Sequence, residues 1–358
     1  MITLTGVTTS GIPHLGNYVG AIRPAIQSQN TSYFFLADLH ALIKCDDPNR
    51  LNDSIYEVAA AWLASGIDLT KSVFYRQSHI PSISELNWIL GCSIGKGHMD
   101  RMHAFKSATD VVSIGLYTYP ILMSADILAF NATHIPVGKD QVQHIELTKD
   151  IAGAFNSKYG ETFVKPEAVV SDDDVLLGLD GRKMSKSYDN TIPLFKGGTD
   201  AVAKSIGKIK TDSTYGEIRT GAFDHIISIA KPFCTPEELD SIRNDIHNGV
   251  KWKGIKDNLI QLIDRELSPM RVEYNRYIAD RGLIDSILTA GAKLANGVAV
   301  ETLDKVKHRI GLYGRIETVV EEKAKQDRPK IFKENNKFYY RKDDVLFGPF
   351  DTYKEIVV

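Results

Sequence analysis

The chain has 358 residues, 43% hydrophobic and 25% charged, a composition that supplies ample core and excludes wholesale disorder. It is longer than one hydrophobic core usually supports, so two domains with a small appendage are expected. Forty-three Lys+Arg against forty-five Asp+Glu leave a net charge of −2, so a polyanion must be met by local patches, not by the field of the whole molecule.

The first half alternates short apolar runs with helix-length amphipathic ones, which predicts an α/β fold on a parallel sheet. Strands are expected at 2–4, 33–37, 73–75 and 134–137, and helices near 16–27, 51–64, 83–90, 116–130 and 140–155. Past Asn190 the stretch TIPLFKGGTD holds a proline and a Gly-Gly pair, which suits a turn between domains. From there to about Leu312 the period is helical, and Leu288, Ala292, Ala295, Ala299, Leu303, Val306 and Ile310 form one apolar face of a long helix. The expected division is therefore 1–190, 191–312 and 313–358. In the last segment eight Lys/Arg between Lys323 and Lys342 stand against Asp327 and Glu334, interleaved with Phe332, Phe338, Tyr339 and Tyr340. A small β-hairpin turning at Asp343-Asp344 accounts for FYYR and DVLFGPF, and the same composition also suits a nucleic-acid surface.

Cys45, Cys92 and Cys234 are odd in number, far apart and without metal-ligand spacing, which points to reduced structural thiols and no metal site. The opening MITLTGVTTSG lacks the basic and apolar regions of a secretion signal, and no stretch is apolar without interruption for the length of a membrane span. A cytoplasmic protein with no membrane partner is the expectation.

Three stretches combine groups suited to phosphate, ribose and a small apolar amine or acid. The first, Thr8-Thr9-Ser10-Gly11-Ile12-Pro13-His14-Leu15-Gly16-Asn17, follows the first strand. Hydroxyls, a histidine and a helix N-terminus supply donors there, and Gly16 lets a base or phosphate lie against the backbone, although a plain helix cap also explains the turn. The second, GLDGRKMSKS, puts Lys183 and Lys186 on a glycine-hinged loop, where mobile ammonium groups can follow the charge of a triphosphate as pyrophosphate leaves. In the third, Tyr119, Met123, Asp126, Ile127 and Phe130 share a helical face, so Asp126 is a carboxylate in an apolar surface. It needs a donor, from the core or from a ligand. Gly138-Lys139-Asp140-Gln141 follows a short strand and opens a helix, where Asp140 suits either a ribose or a helix cap. Lys204, Lys208 and Lys210 form a basic strip, either a solvated face or an RNA contact.

His14-Leu15-Gly16-Asn17 after the first strand, followed by KMSKS, resembles the signature pair of class I aminoacyl-tRNA synthetases. TYPILMSADILAF and PVGKDQVQHIELTKDIA resemble the bacterial tryptophanyl branch of that class. The likeness runs from about Gly6 to Leu312 and includes GLDGRKMSKSYDN and GAKLANGVAVETL. Asn17 stands where the general motif has its second histidine, a feature tryptophanyl enzymes commonly share, and the segment after Leu312 extends past the usual family end.

The resemblance implies a Rossmann-type nucleotide-binding domain, a helical anticodon-binding domain whose last helix packs back on it, and a small C-terminal extension. It implies activation of L-tryptophan by ATP, with Mg2+ carried in by the nucleotide, then transfer to tRNA(Trp) by a homodimer. Carried over residue by residue, it assigns catalysis to His14, Asn17, Lys183 and Lys186. ATP binding falls to Thr8, Ser10, Gly16, Gly138, Asp140, Leu176, Met184 and Ser185. Tryptophan binding falls to Tyr119, Met123, Asp126, Gln141 and His40, with Asp126 accepting the indole N–H. No serine has the setting of a covalent nucleophile: Ser10, Ser185 and Ser187 lack an ordered His/Asp partner, and the substrate carboxylate can itself attack phosphorus.

Overall fold

A run rich in β-branched residues at the N-terminus forms β1 (Ile2–Thr8), the central strand of a five-stranded sheet. The computed structural model describes residues 1–9, 11–27, 31–102, 113–170, 176–211, 220–313, 330–335, 337–342 and 345–350. Beside β1 lie β2 (Thr31–Ala37) and then β3 (Ser72–Arg76) on one side, and β4 (His134–Val137) and then β5 (Glu167–Val170) on the other. Every pairing is parallel, and β1 matches β2 residue for residue from Ile2 opposite Thr31 to Thr8 opposite Ala37. Phe34, Phe35 and Leu36 are consecutive and all buried, as a strand covered on both faces requires. Strand order reverses between β1 and β4, and the crevice beyond their carboxyl ends is where such sheets hold ligands.

The four expected strands are present. β5 was not expected, because EAVV is short and half its residues are exposed, so no apolar run marks it. The helix expected at 16–27 is broken into α1 (Leu15–Asn17), a π turn at Tyr18–Ile22 and α2 (Arg23–Gln27). α3 (Asp38–Ala41) follows β2 directly. Asp47 starts α4 (Pro48–Ala64) by accepting the Asn49 and Arg50 N–H groups, with Pro48 in the first turn. α5 (Pro81–Gly91), α6 (Lys96–Met99), α7 (Ile114–Ala129) and α8 (Val142–Tyr159) complete the sheet region. Beyond it come α9 (Gly198–Gly207), α10 (Thr220–Ala230), α11 (Pro236–His247), α12 (Trp252–Ala279) and α13 (Arg281–Ile310).

The chain forms two compact units, Met1–Val306 and Lys307–Val358. In the first, one apolar cluster runs from Leu15 and Trp62 through Phe195, Ile229 and Ile263 to Leu288, so sheet and helical part share a core. The expected stripe of α13 is buried from Leu288 to Val306, with Ile310 half-buried past its end. Gly291 seats this helix on β3: a Cβ there would lie 1.8 Å from the Phe74 carbonyl oxygen. α13 has the length and mean hydropathy of a membrane span, yet Asp285, Lys293, Glu301, Asp304 and Lys305 lie along it and its apolar stripe packs inward. The second unit holds β6 (Lys330–Glu334), β7 (Lys337–Lys342) and β8 (Val345–Phe350) in an antiparallel sheet. β7 and β8 pair antiparallel as expected, with Lys342 facing Val345, and the turn expected at Asp343-Asp344 lies outside the described residues. β6 is an addition, since KIFKE is too charged to announce a strand.

Candidate active site

The chain leaves β1 at Thr8 and enters α1 beside the crevice. At this turn the His14 N–H donates to Asn17 Oδ1 at 3.1 Å, which commits the amide oxygen and leaves the amide hydrogens available. Residues 192–194, just past the KMSKS loop, run antiparallel to the turn: Leu15 N–H donates to the Ile192 carbonyl at 2.9 Å and Leu194 N–H to that of Pro13 at 3.1 Å. The two motifs, far apart in sequence, are thereby joined. Gly16 N–H points at Met184 Sδ at 3.3 Å, and a Cβ on Gly16 would lie 3.0 Å from the His14 ring and 3.4 Å from Met184 Cβ. Gly11, at φ +124, permits a second approach, with Lys186 Nζ 3.5 Å from the point its Cβ would occupy.

His14 is buried, and its Nδ1 has no partner among the described residues. Burial, then the Lys186 charge, lowers its pKa to about 4, so at neutral pH it is a neutral imidazole with one N–H to donate. Lys186 presents surface on one side, yet the protein around its ammonium removes hydration, and this, with Arg50 adding repulsion, lowers its pKa to about 8. It remains mostly charged at neutral pH.

The KMSKS loop continues the return arm of a small hairpin that turns at 178–182 and in which Met184 N–H donates to the Leu176 carbonyl at 2.9 Å. Leu176 and Met184 are both buried and make an apolar shelf, whereas Lys183 is exposed. Asn190, 2% exposed, organises the loop. Its Oδ1 accepts the Ser185 N–H at 2.8 Å, and its Nδ2 donates to the Lys183 carbonyl at 3.1 Å and to Asp180 Oδ1 at 2.6 Å. Asp180 also accepts from the Arg182 N–H at 3.1 Å and Nε at 2.8 Å; the Asn190 amide first, then Arg182, holds its carboxyl at about 2. Behind the loop, Ser228 of α10 accepts the Leu177 N–H at 3.1 Å, and His225 lies where a Gly181 Cβ would be, 2.0 Å from its Nε2. Asn190 and Asp180 lie within GLDGRKMSKSYDN, but their role depends on a folded loop and has no signature of its own.

On the other side of the crevice α7 presents Tyr119, Met123 and Asp126. Asp126 is 1% exposed; Gln77 Nε2 lies 2.8 Å from each of its oxygens, and His40 Nε2 lies 3.0 Å from Oδ2. Burial raises its pKa, and the His40 and Gln77 hydrogen bonds oppose that shift. Tyr119 Oη is 2.8 Å from His144 Nε2, and its ring meets His40 edge-on at 6.1 Å. Burial, then Asp140, raises the Tyr119 pKa. Asp140 and Gln141 lie in a 3₁₀ turn after β4, linked by Gln141 Nε2 to Asp140 Oδ2 at 3.3 Å. Asp140 Oδ1 is 2.7 Å from the point of a Gly138 Cβ, so the carboxylate lies over the glycine backbone and does not cap α8.

Of the expected residues, His14, Gly16, Met184 and Lys186 meet at one end, and Tyr119, Asp126 and His40 at the other, with Asp140 close to Tyr119. Thr8 is exposed at the end of β1, and Ser10 lies outside the described residues. Among the described residues no group of three or more His, Cys, Asp or Glu is placed to hold a metal ion.

Comparison with known proteins gives the same direction. Residues 1–273 match the family described as tRNA synthetases class I (W and Y). The tryptophan–tRNA ligase of Bordetella parapertussis is 45% identical over 362 aligned positions, covering 96% of this chain and 80% of that protein. That of Neisseria meningitidis is 47% identical over 327 positions, covering 86% of this chain and 97% of its own. A crystal structure of tryptophanyl-tRNA synthetase from Campylobacter jejuni, complexed with ADP and tryptophan, superposes with a TM-score of 0.80 at 36% identity, over 87% of this chain and 100% of that one. The Bordetella match leaves aside fewer residues than the C-terminal unit contains, so the segment after Leu312 is shared at least in part with that relative. By family, fold and identity over almost its whole length, this chain belongs to the class I tRNA synthetases, in their tryptophan–tRNA ligase branch.

Proposed function

We propose that the crevice between β1 and β4 binds ATP and tryptophan side by side and forms tryptophanyl-adenylate with no covalent enzyme intermediate. The observation that carries this reading is the closure of the two motifs on each other, with Met184 against the Gly16 N–H and Lys186 above Gly11. The tryptophan carboxylate attacks the α-phosphorus of ATP and pyrophosphate leaves. His14 donates a neutral N–H, Asn17 its amide hydrogens, and Lys183 and Lys186 follow the charge onto the leaving group. Each of these four contributes on the order of 2 to 4 kcal/mol to lowering the barrier. Leu176 and Met184 flank adenine, the Gly138 backbone and Asp140 take the ribose, and Thr8, Ser10 and Ser185 line the nucleotide. Mg2+ enters with ATP as part of the substrate.

At the amino-acid end Asp126 accepts the indole N–H, Met123 and His40 line the ring, and Tyr119 with Gln141 receives the ammonium. A buried site built to hydrogen-bond one substrate N–H or O–H rejects analogues lacking it by about 10⁴ or more, because its own polar groups are then left unpaired, so phenylalanine is excluded without editing. The acyl group then passes to the 3′-terminal ribose of tRNA(Trp), with the helical part after residue 190 reading the anticodon. We assign the enzyme to the cytoplasm as a homodimer. Trp88, 75% exposed on α5, and Ile114, 77% exposed on the adjoining α7, support an apolar subunit contact.

The test is tryptophan-dependent ATP–pyrophosphate exchange without tRNA, run beside tyrosine and phenylalanine, followed by charging of tRNA(Trp). Exchange with tryptophan alone is expected, and Asp126→Ala should raise the tryptophan KM by about tenfold or more while the ATP KM stays near wild type. Exchange with tyrosine would overturn the pocket assignment.

A further inference from the structure

The donors to Asp126 come from two separate segments. Gln77, wholly buried in the turn after β3, spans both carboxylate oxygens, and His40 of α3 reaches Oδ2. A glutamine amide could present either end to its neighbour. Here the Leu39 backbone N–H donates to Gln77 Oε1 at 3.1 Å, which commits the oxygen and turns the amide hydrogens toward Asp126. The segments are tied to each other by a second buried carboxylate, Asp38. Its Oδ1 accepts the Ser78 N–H at 2.9 Å, and its Oδ2 accepts the Ser78 hydroxyl at 2.5 Å and Arg76 Nε at 3.0 Å. Residues 38–40 and 76–78 thus form one braced support that supplies both donors. Oδ2 has two contacts and Oδ1 one, so Oδ1 keeps the lone pair that a ligand N–H can use.

We propose that Gln77 is a positioning residue for tryptophan selection: oriented by the Leu39 N–H and the Asp38 brace, it holds the Asp126 carboxylate in the rotamer that aims Oδ1 at the indole N–H. This rests on the reading of Asp126 as the indole acceptor. Without the Gln77 donor the carboxylate keeps, among the described residues, only His40, is free to turn about its Cβ–Cγ bond, and loses part of the hydrogen bonding that compensates its burial. The effect falls on discrimination more than on catalysis, because Gln77 touches neither the reacting carboxylate nor ATP in this assignment.

The experiment measures kcat/KM in ATP–pyrophosphate exchange for tryptophan and for β-(3-benzothienyl)alanine, in which sulfur replaces the indole N–H. Wild type, Gln77→Met, Gln77→Leu and Asp126→Ala are compared at one pH. Gln77→Met keeps side-chain length without a donor; Gln77→Leu also lacks a donor and serves if the methionine variant fails to fold. Wild type should prefer tryptophan by about 10⁴-fold, and both Gln77 variants should reduce that preference by about tenfold or more with little change in ATP KM. A residue that merely supported the fold would lower both amino acids together and leave the preference intact, and that result overturns the proposal. If the preference collapses in Asp126→Ala but survives in both Gln77 variants, Gln77 has no positioning role. If wild type shows no preference, or Asp126→Ala retains it, the Asp126 reading itself fails.

Discussion

Asn190→Ala tests whether the KMSKS loop works as an ordered platform or as a pair of tethered cations. The amide makes three hydrogen bonds, to the Ser185 N–H, the Lys183 carbonyl and Asp180 Oδ1, and it is 2% exposed. Alanine removes all three at once. The two backbone bonds contribute about 1 kcal/mol each, and the bond to Asp180 adds little because water can replace the amide at that exposed carboxylate. The net loss to the ordered loop is about 2 to 3 kcal/mol, which lowers the equilibrium constant between competent and disordered loop by roughly 30-fold to 150-fold, and the competent population falls by nearly as much where the wild-type loop is only marginally ordered. Lys183, Met184, Ser185 and Lys186 lose their register together, so kcat for exchange and the affinity for ATP should suffer while the tryptophan KM, set on α7, stays within about twofold. Exchange kinetics at saturating tryptophan, with thermal melting to confirm folding, supply the measurement. A folded Asn190→Ala enzyme with wild-type kcat and ATP KM would refute the idea that this buried amide orders the loop.

Two further outcomes follow from the charges and from the division of the chain. Because Lys186 loses its proton as pH rises through about 8, kcat/KM for ATP should be level near neutrality and fall above that value, while His14, at about 4, stays neutral throughout. Lys186→Arg, which stays charged, should abolish the alkaline fall, and an unchanged profile in that variant would assign the limb to another group. Truncation after Leu312 removes all but the first six residues of the C-terminal unit and leaves the apolar cluster of the first unit whole, so exchange should remain within about twofold of the full chain. Loss of exchange in a folded truncated protein would give the last segment a part in catalysis.

The elements most easily read from the sequence were those whose burial is written in their own periodicity. The stripe from Leu288 to Val306 is one face of a helix, and 33–37 is a continuous apolar strand; both are as expected. β5 and β6 escaped because an edge strand with exposed residues has little period to detect, and pairing with β4 or β7 is what makes them strands. The site divides along the same line. His14, Lys183 and Lys186 stood out through the motifs that hold them, and Asp126 as a carboxylate on an apolar helical face. Gln77 and Asn190 did not, since an amide in a turn is ordinary until its partners are known.

The sequence by itself determined the order of the chemistry-bearing segments, the helical face that puts Asp126 among apolar side chains, and the family to which those motifs belong. Only the tertiary structure decided which groups meet. The Gly16 N–H and Met184 Sδ are separated by 168 residues and lie 3.3 Å apart; Gln77 and Asp126 are separated by 49 and lie 2.8 Å apart. Hydrogen bonds fail within an ångström of extra separation, whereas periodicity and motif spacing locate a residue only to a face or a loop. The parallel sheet order β3-β2-β1-β4-β5 closes that gap by bringing the ends of β1, β3 and β4 to one edge, where the side chains that follow them can reach each other.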